Sequence, residues 1–142
     1  MPLGRKVAEE DICEADVVIY VISRISGEGK DRRKVKGDYY LSEREEEDLR
    51  YLAEMNKPVI LILNAGGPVE LTDILEQTDN IKGILNISQL GQEGGDALAD
   101  VLLGKEVPGG KLTTTWARRY EDYPASEEYG YCLLYTSDAA DD

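Results

Sequence analysis

Val17-Val18-Ile19-Tyr20-Val21-Ile22 is a continuous β-branched and aromatic run, and Val59-Ile60-Leu61-Ile62-Leu63 is a second one. Unbroken apolar runs of this length read as strands covered on both faces, the habit of parallel sheets. Between them stands a helix with a clear start: Ser42 and Glu45 form a Ser-x-x-Glu capping box. Leu49, Leu52, Ala53 and Met55 give it an apolar stripe, and Glu43, Glu46 and Glu47 suit its positive N-terminal end. It should stop before Pro58, because the residue preceding proline is pushed towards extended geometry. Beyond the second run, Asn64-Ala65-Gly66-Gly67 turns the chain, and Pro68 suits the first position of a short helix carrying Leu71, Ile74 and Leu75. Residues 83–87 read as a third strand. A longer helix follows over about 94–103, with Ala97, Leu98, Val101 and Leu102 inward and Gly104 as its C-cap. After the turn Pro108-Gly109-Gly110, residues 112–116 read as a final strand.

Strand alternates with helix, so the expected fold class is α/β: a doubly wound three-layer sandwich around a mostly parallel sheet. In such sheets ligands bind beyond the carboxyl ends of the strands. Three loops should occupy that edge, at residues 23–36, 64–68 and 88–95.

Composition narrows the chemistry. The 142 residues leave room for one domain with a sizeable core but not for two full ones. A formal net charge of −13 argues against a nucleic-acid or anionic-membrane partner. The apolar runs are far too short to span a bilayer. Met1-Pro2-Leu3-Gly4-Arg5-Lys6 leads into acidic Glu9-Glu10-Asp11 with no apolar stretch between, unlike a signal peptide. The compartment stays open on these grounds, the cytoplasm being expected ahead of secretion. There is no histidine, which excludes Ser-His-Asp and Cys-His arrangements and the usual zinc sites within this chain. No metal or cofactor is expected, and the chemistry must rest on carboxylates, amides, hydroxyls or cations.

Residues 132–142 continue no earlier pattern. They resemble a transposon-type sequencing adapter translated in one frame, and are expected to lie outside the domain formed by residues 1–131. Setting aside Asp138, Asp141 and Asp142 moves the net charge only from −13 to −10. Cys132 goes with that tail. Cys13, beside a helix face, is then expected to be a buried, inert thiol.

The first loop holds Ser26-Gly27-Glu28-Gly29-Lys30-Asp31-Arg32. As a phosphate cradle it fails. Arg32 stands where a dinucleotide fingerprint needs its third glycine, and Asp31 follows Gly29-Lys30 where a P-loop needs Ser or Thr. What is left is a carboxylate between two glycines beyond a buried strand. Most residues so placed are simply turn residues, and a few are catalytic.

The motif does not stand alone. Ala15-Asp16-Val17-Val18-Ile19, then Ser26-Gly27-Glu28-Gly29 with Asp31-Arg32, then Lys36-Gly37-Asp38 and Leu41, resembles the second domain of family 3 glycoside hydrolases. The likeness continues through residues 58–64 and Gly66-Gly67-Pro68. It extends to Gly91-Gln92-Glu93-Gly94-Gly95 with Ala99-Asp100-Val101-Leu102, and to Val107-Pro108 with Gly110-Lys111-Leu112. The order and gaps match over nearly the whole chain before the tail, and within the family the similarity is to three-domain bacterial β-glucosidases. Departures occur at Gly109 and Thr113, where serine and proline are common.

The resemblance implies a division of labour. A separate (β/α)8 barrel, N-terminal to this domain in the same chain, would supply an aspartate nucleophile, and a further domain would follow. Glu28 matches the general acid/base. Asp31 and Arg32 would hold the loop or touch the sugar, a β-linked glycoside hydrolysed with retention. Retention needs two carboxylates, one to attack and one to protonate the leaving oxygen. The present chain would then be a piece holding one of the pair.

Other features have plainer readings. Among the cations around Glu28, Arg33 and Lys34 suit a solvated loop facing the acidic helix start at residues 43–48. Glu93 reads as structural near a helix N-terminus, with Gly94 and Gly95 permitting close packing. Trp116, Tyr39 and Tyr40 are expected to pack rather than stack on sugars. The rival from another class is a non-catalytic flavodoxin-like module whose glycine-rich loop binds an anion or a small molecule, or a family member whose site has decayed into a carbohydrate-binding role.

Overall fold

The computed structural model describes residues 9–25, 32–124 and 126. The elements run α1 (Glu9–Glu14), β1 (Val18–Ser23), α2 (Glu43–Glu54), β2 (Val59–Asn64), α3 (Thr72–Gln77), β3 (Ile81–Asn86) and α4 (Gly94–Leu102). A short 3-10 turn at Tyr120–Asp122 follows. The strands form one parallel sheet in the order β1-β2-β3. Each crossover steps the same way across the sheet. Right-handed crossovers therefore lay α2 and α3 on one face.

That face carries the core. Ile22, Leu61 and Leu63 from the strands join Ile12 of α1, Leu49 and Leu52 of α2 and Ile74 of α3 in one buried cluster. The in-register pairs Tyr20–Leu61 and Ile22–Leu63 put these side chains on the same side of the pleat. The α2 capping box forms as its spacing predicts: the Ser42 hydroxyl accepts from the Glu45 amide while the Glu45 carboxylate accepts from the Ser42 amide. The helix ends three residues before Lys57 and leaves through Asn56 at a φ of 53°.

The alternating α/β class and the parallel sheet agree with the sequence reading, but several details do not. β1 is not covered on both faces: Ile19 and Val21 are 48% and 52% exposed. β1 is an edge strand, and the helices of the crossovers lie over its other face. The third strand starts at Ile81, earlier than residue 83. The short third helix starts at Thr72, not at Pro68, whose carbonyl instead receives a side-chain hydrogen bond.

Residues 112–116 form no strand; Leu112 is 57% exposed, and among the described residues no strand runs alongside to pair with it. A strand is defined by its ladder, and β propensity without a partner edge leaves an irregular segment. On α4 Leu98, Val101 and Leu102 are half-buried, whereas Ala97 is exposed, so its inward face is narrower than its pattern. Cys13 is exposed rather than buried. Ile12 takes the inward position on α1, and the next residue of a helix is turned about 100° away from it.

Candidate active site

The carboxyl ends of the strands are where the expected loops meet. A cleft of about 510 Å³ there is lined by Ser23, Arg24 and Ile25 at the end of β1, by Asn64 at the end of β2, and by Ile87, residues 89–91, Gly94, Gly95 and Leu98 around the start of α4. Backbone ties set this edge: the Arg24 amide donates to the Asn64 carbonyl at 3.0 Å, and the Ile87 amide to the Leu63 carbonyl at 3.0 Å. A second cleft of about 620 Å³ shares Ser23, Arg24 and Ile25 and is closed on its other side by Arg33 and residues 36–38. Arg24 and Ile25 thus form the ridge between the two.

Arg24 itself is buried, at 7% exposure. Its guanidinium makes a two-pronged pair with Glu45, Nη1 to Oε1 at 2.8 Å and Nη2 to Oε2 at 2.7 Å. Its remaining donors reach backbone carbonyls: Nε to Asp38 at 2.7 Å, Nη1 to Ser23 at 2.9 Å and Nη2 to Tyr40 at 3.3 Å. Every prong of a buried cation is thereby satisfied, which such a group requires. Burial alone would raise the Glu45 pKa. The hydrogen bond and charge of Arg24, with the Ser42 amide, outweigh it and hold that pKa below the usual carboxylate value.

On the far side of residues 26–31, Arg32 is held in the same way. Its Nε donates to Asp38 Oδ1 at 2.7 Å, its Nη2 to the Asp38 carbonyl at 2.5 Å and its Nη1 to the Pro68 carbonyl at 2.8 Å. Asp38 Oδ2 accepts the Arg33 amide at 2.8 Å. Burial pushes the Asp38 pKa up, but the bonds from Arg32 and the Arg33 amide prevail, and the net shift is downward. Residues 33–41 are folded tightly around this carboxylate. The Gly37 amide donates to the Tyr40 carbonyl at 3.0 Å, and a φ of +81° makes glycine the fitting residue at 37.

Of the residues singled out from the sequence, Glu28 and Asp31 lie outside the described residues, as does the tail 132–142. Arg32 is described, and its guanidinium is occupied by Asp38 and Pro68, the loop-holding arrangement. Lys36 meets the acidic start of α2, at 3.2 Å from Glu46. Lys34 does not: it pairs with Glu121 at 2.7 Å and lies 4.1 Å from the centre of the Tyr120 ring. Arg33 is solvated, with 78% of its side chain exposed. Tyr39 is buried and packs edge-on against Tyr40 and Tyr120, and Trp116 packs against the core cluster, so these aromatics serve packing.

Glu93 stands at the α4 N-cap without a side-chain capping bond. Gly94 is tightly packed, since a Cβ there would lie 2.3 Å from that of Leu90, whereas Gly95 faces open space. Sequence reasoning passed over Arg24. A lone arginine after a strand has no periodic signature, and only its position directly beyond an apolar run could have drawn notice.

A parallel α/β layer with loops gathered at the carboxyl edge of the sheet defines the general class. Comparison with known proteins narrows it. The model of the glycosyl hydrolase family 3 C-terminal domain matches residues 4–140. The chain belongs to that family. It is 39% identical to β-glucosidase A of Butyrivibrio fibrisolvens, over 81% of this chain and 16% of the relative. It is also similar to the solved structure of β-glucosidase 3B from Thermotoga neapolitana in complex with glucose. That likeness has a TM-score of 0.75 and 44% identity, and covers 89% of this chain and 18% of the other. A β-glucosidase structure from Paenibacillus barengoltzii gives a TM-score of 0.77 at 29% identity, over 85% of this chain and 13% of that one. The chain thus spans under a fifth of the length of these relatives.

Proposed function

We propose that this chain is the acid/base-bearing domain of a retaining β-glycosidase, with β-glucosides as the substrate class. The observation that carries the reading is where the residues flanking the Ser-Gly-Glu-Gly segment lie. Ile25 lines both clefts at the carboxyl edge of the sheet, and Arg32 is tied to Asp38, which lines one of them, and to Pro68 after β2. Family membership and relatives that are β-glucosidases support the choice of chemistry. In the intact enzyme an aspartate on a preceding (β/α)8 barrel attacks the anomeric carbon while Glu28 gives its proton to the departing oxygen. Glu28 then takes a proton from water as that water displaces the aspartate, and the configuration is retained. In this reading Asp31 would touch a sugar hydroxyl, and Arg32 would hold the loop.

The test is Glu28→Ala in the intact enzyme. An aryl glycoside with an acidic phenol leaves almost unaided, so its glycosylation step should fall least. An alkyl glycoside or disaccharide should lose on the order of 10²–10⁴-fold, the usual share of general-acid catalysis. Azide needs no deprotonation and should restore turnover of the activated substrate, giving a β-glycosyl azide. Equal losses on all substrates, without azide rescue, would remove Glu28 from this role.

A further inference from the structure

Two arginines bracket the segment that carries Glu28, and both are spent on the same acceptor. Arg24 is the last residue but one before that segment and Arg32 the first residue after it. Arg24 Nε and Arg32 Nη2 donate to one carbonyl oxygen, that of Asp38, at 2.7 and 2.5 Å. A carbonyl has two lone pairs, and here each is taken by a guanidinium. The tie is anchored on both sides. Arg24 is fixed to α2 through Glu45, and Arg32 to the loop after β2 through the Pro68 carbonyl. The Asp38 carboxylate is fixed in turn by Arg32 Nε and the Arg33 amide. All five N–H donors of Arg24 are taken, and Arg32 commits all three of its nitrogens, Nε, Nη1 and Nη2, to Asp38 and Pro68.

We infer that Arg24, Arg32 and Asp38 form a positioning clamp that fixes the two ends between which the Glu28 segment runs, on which its action as acid/base depends. The inference rests on the acid/base reading of Glu28 and deepens it. General-acid catalysis depends on geometry to a fraction of an ångström, so a group on a short segment needs its two ends held. A rigid fork suits this task better than an ammonium, because Arg24 must hold Glu45 and the Asp38 carbonyl at once. Arg32 is thereby a positioning residue, held by Asp38 and Pro68.

The experiment compares Asp38→Asn and Arg24→Lys with the parent in the intact enzyme, using a p-nitrophenyl, a 2,4-dinitrophenyl and an alkyl β-glucoside. Asp38→Asn weakens the hold on Arg32, and Arg24→Lys keeps the charge opposite Glu45 but cannot span both partners. With a loosened clamp, kcat/KM on the alkyl glucoside should fall on the order of 10- to 100-fold. The 2,4-dinitrophenyl substrate should lose less than about threefold, since it needs little proton donation. Inhibition by glucose should keep its strength, because no sugar contact has been removed. A uniform loss across the three substrates, or none, in whichever variant retains the parent melting temperature overturns the clamp, as does a loss confined to glucose affinity. Glu28→Ala, assayed alongside, separates the two readings. Leaving-group dependence there but not in the clamp variants ends the clamp alone, and its absence in Glu28→Ala ends both.

Discussion

β1 and β2 are nearly interchangeable on paper, six residues each of Val-Ile-Tyr-Val-Ile-Ser and Val-Ile-Leu-Ile-Leu-Asn. In the folded chain they differ. β2 is the middle strand, and Leu61, Ile62 and Leu63 are all fully buried, on both faces. β1 is an edge, and only its α2-facing residues are covered: Ile22 is fully buried while Ile19 and Val21 are about half exposed. The lesson is that an apolar run specifies a strand but not how many neighbours it will have. Ile62 makes the point, being fully buried outside the main cluster, on the face that β1 leaves open.

The comparison can be broken by truncation. Leu61→Ala or Ile62→Ala should destabilise the chain by about 2–5 kcal/mol in urea unfolding, the usual range for cutting a buried aliphatic side chain. Ile19→Ala removes the same atoms as Ile62→Ala from an open surface and should cost under about 1 kcal/mol. Equal costs for Ile19 and Ile62 would mean that β1 is covered after all.

β1 is loosely covered along its length yet tightly tied at its carboxyl end, and pH should sharpen that contrast. The Glu45 and Asp38 pKa values are depressed in the folded state, so the unfolded chain binds protons first as pH falls. Their stabilisation is complete above the unfolded carboxylate values, roughly pH 4, and is lost as pH drops through the folded values. Melting temperature should therefore fall below about pH 4, and Asp38→Asn should flatten the fall. An unchanged acid limb in that variant would show that the tie at the end of β1 contributes little.

How much of this could be read in advance follows from the kind of signal each feature leaves. The α2 start was legible because a capping box is a local hydrogen-bond exchange between residues three apart. The Ser-Gly-Glu-Gly motif stands out because its glycines and its place after a strand are both local, while the role proposed for Glu28 comes from the family resemblance. The Arg24–Asp38–Arg32 tie was not, since its partners meet through the crossover geometry. The strand expected at 112–116 failed for a related reason: its composition is right, but a ladder needs a neighbour that composition cannot supply.

The smallest expected effect sets the zero of the scale. We propose that residues 132–142 are an adapter-derived tail unrelated to the core of residues 1–131. Their deletion should then leave the melting temperature unchanged within error, against the degrees lost in Ile62→Ala. A clear drop on deletion would make the tail part of the domain.

By itself the sequence determined the alternation of strand and helix, the start of α2, and the kind of chemistry open to a histidine-free acidic chain. These rest on periodicity, short-range capping and composition, which are properties of neighbouring residues. Only the tertiary structure decided which strand is central, which cation is buried and where each guanidinium ends. Those outcomes depend on residues far apart in the chain, as when Pro68 meets Arg32 across 36 positions. Packing and desolvation act on whatever the crossovers bring together, and neither is encoded in any short stretch.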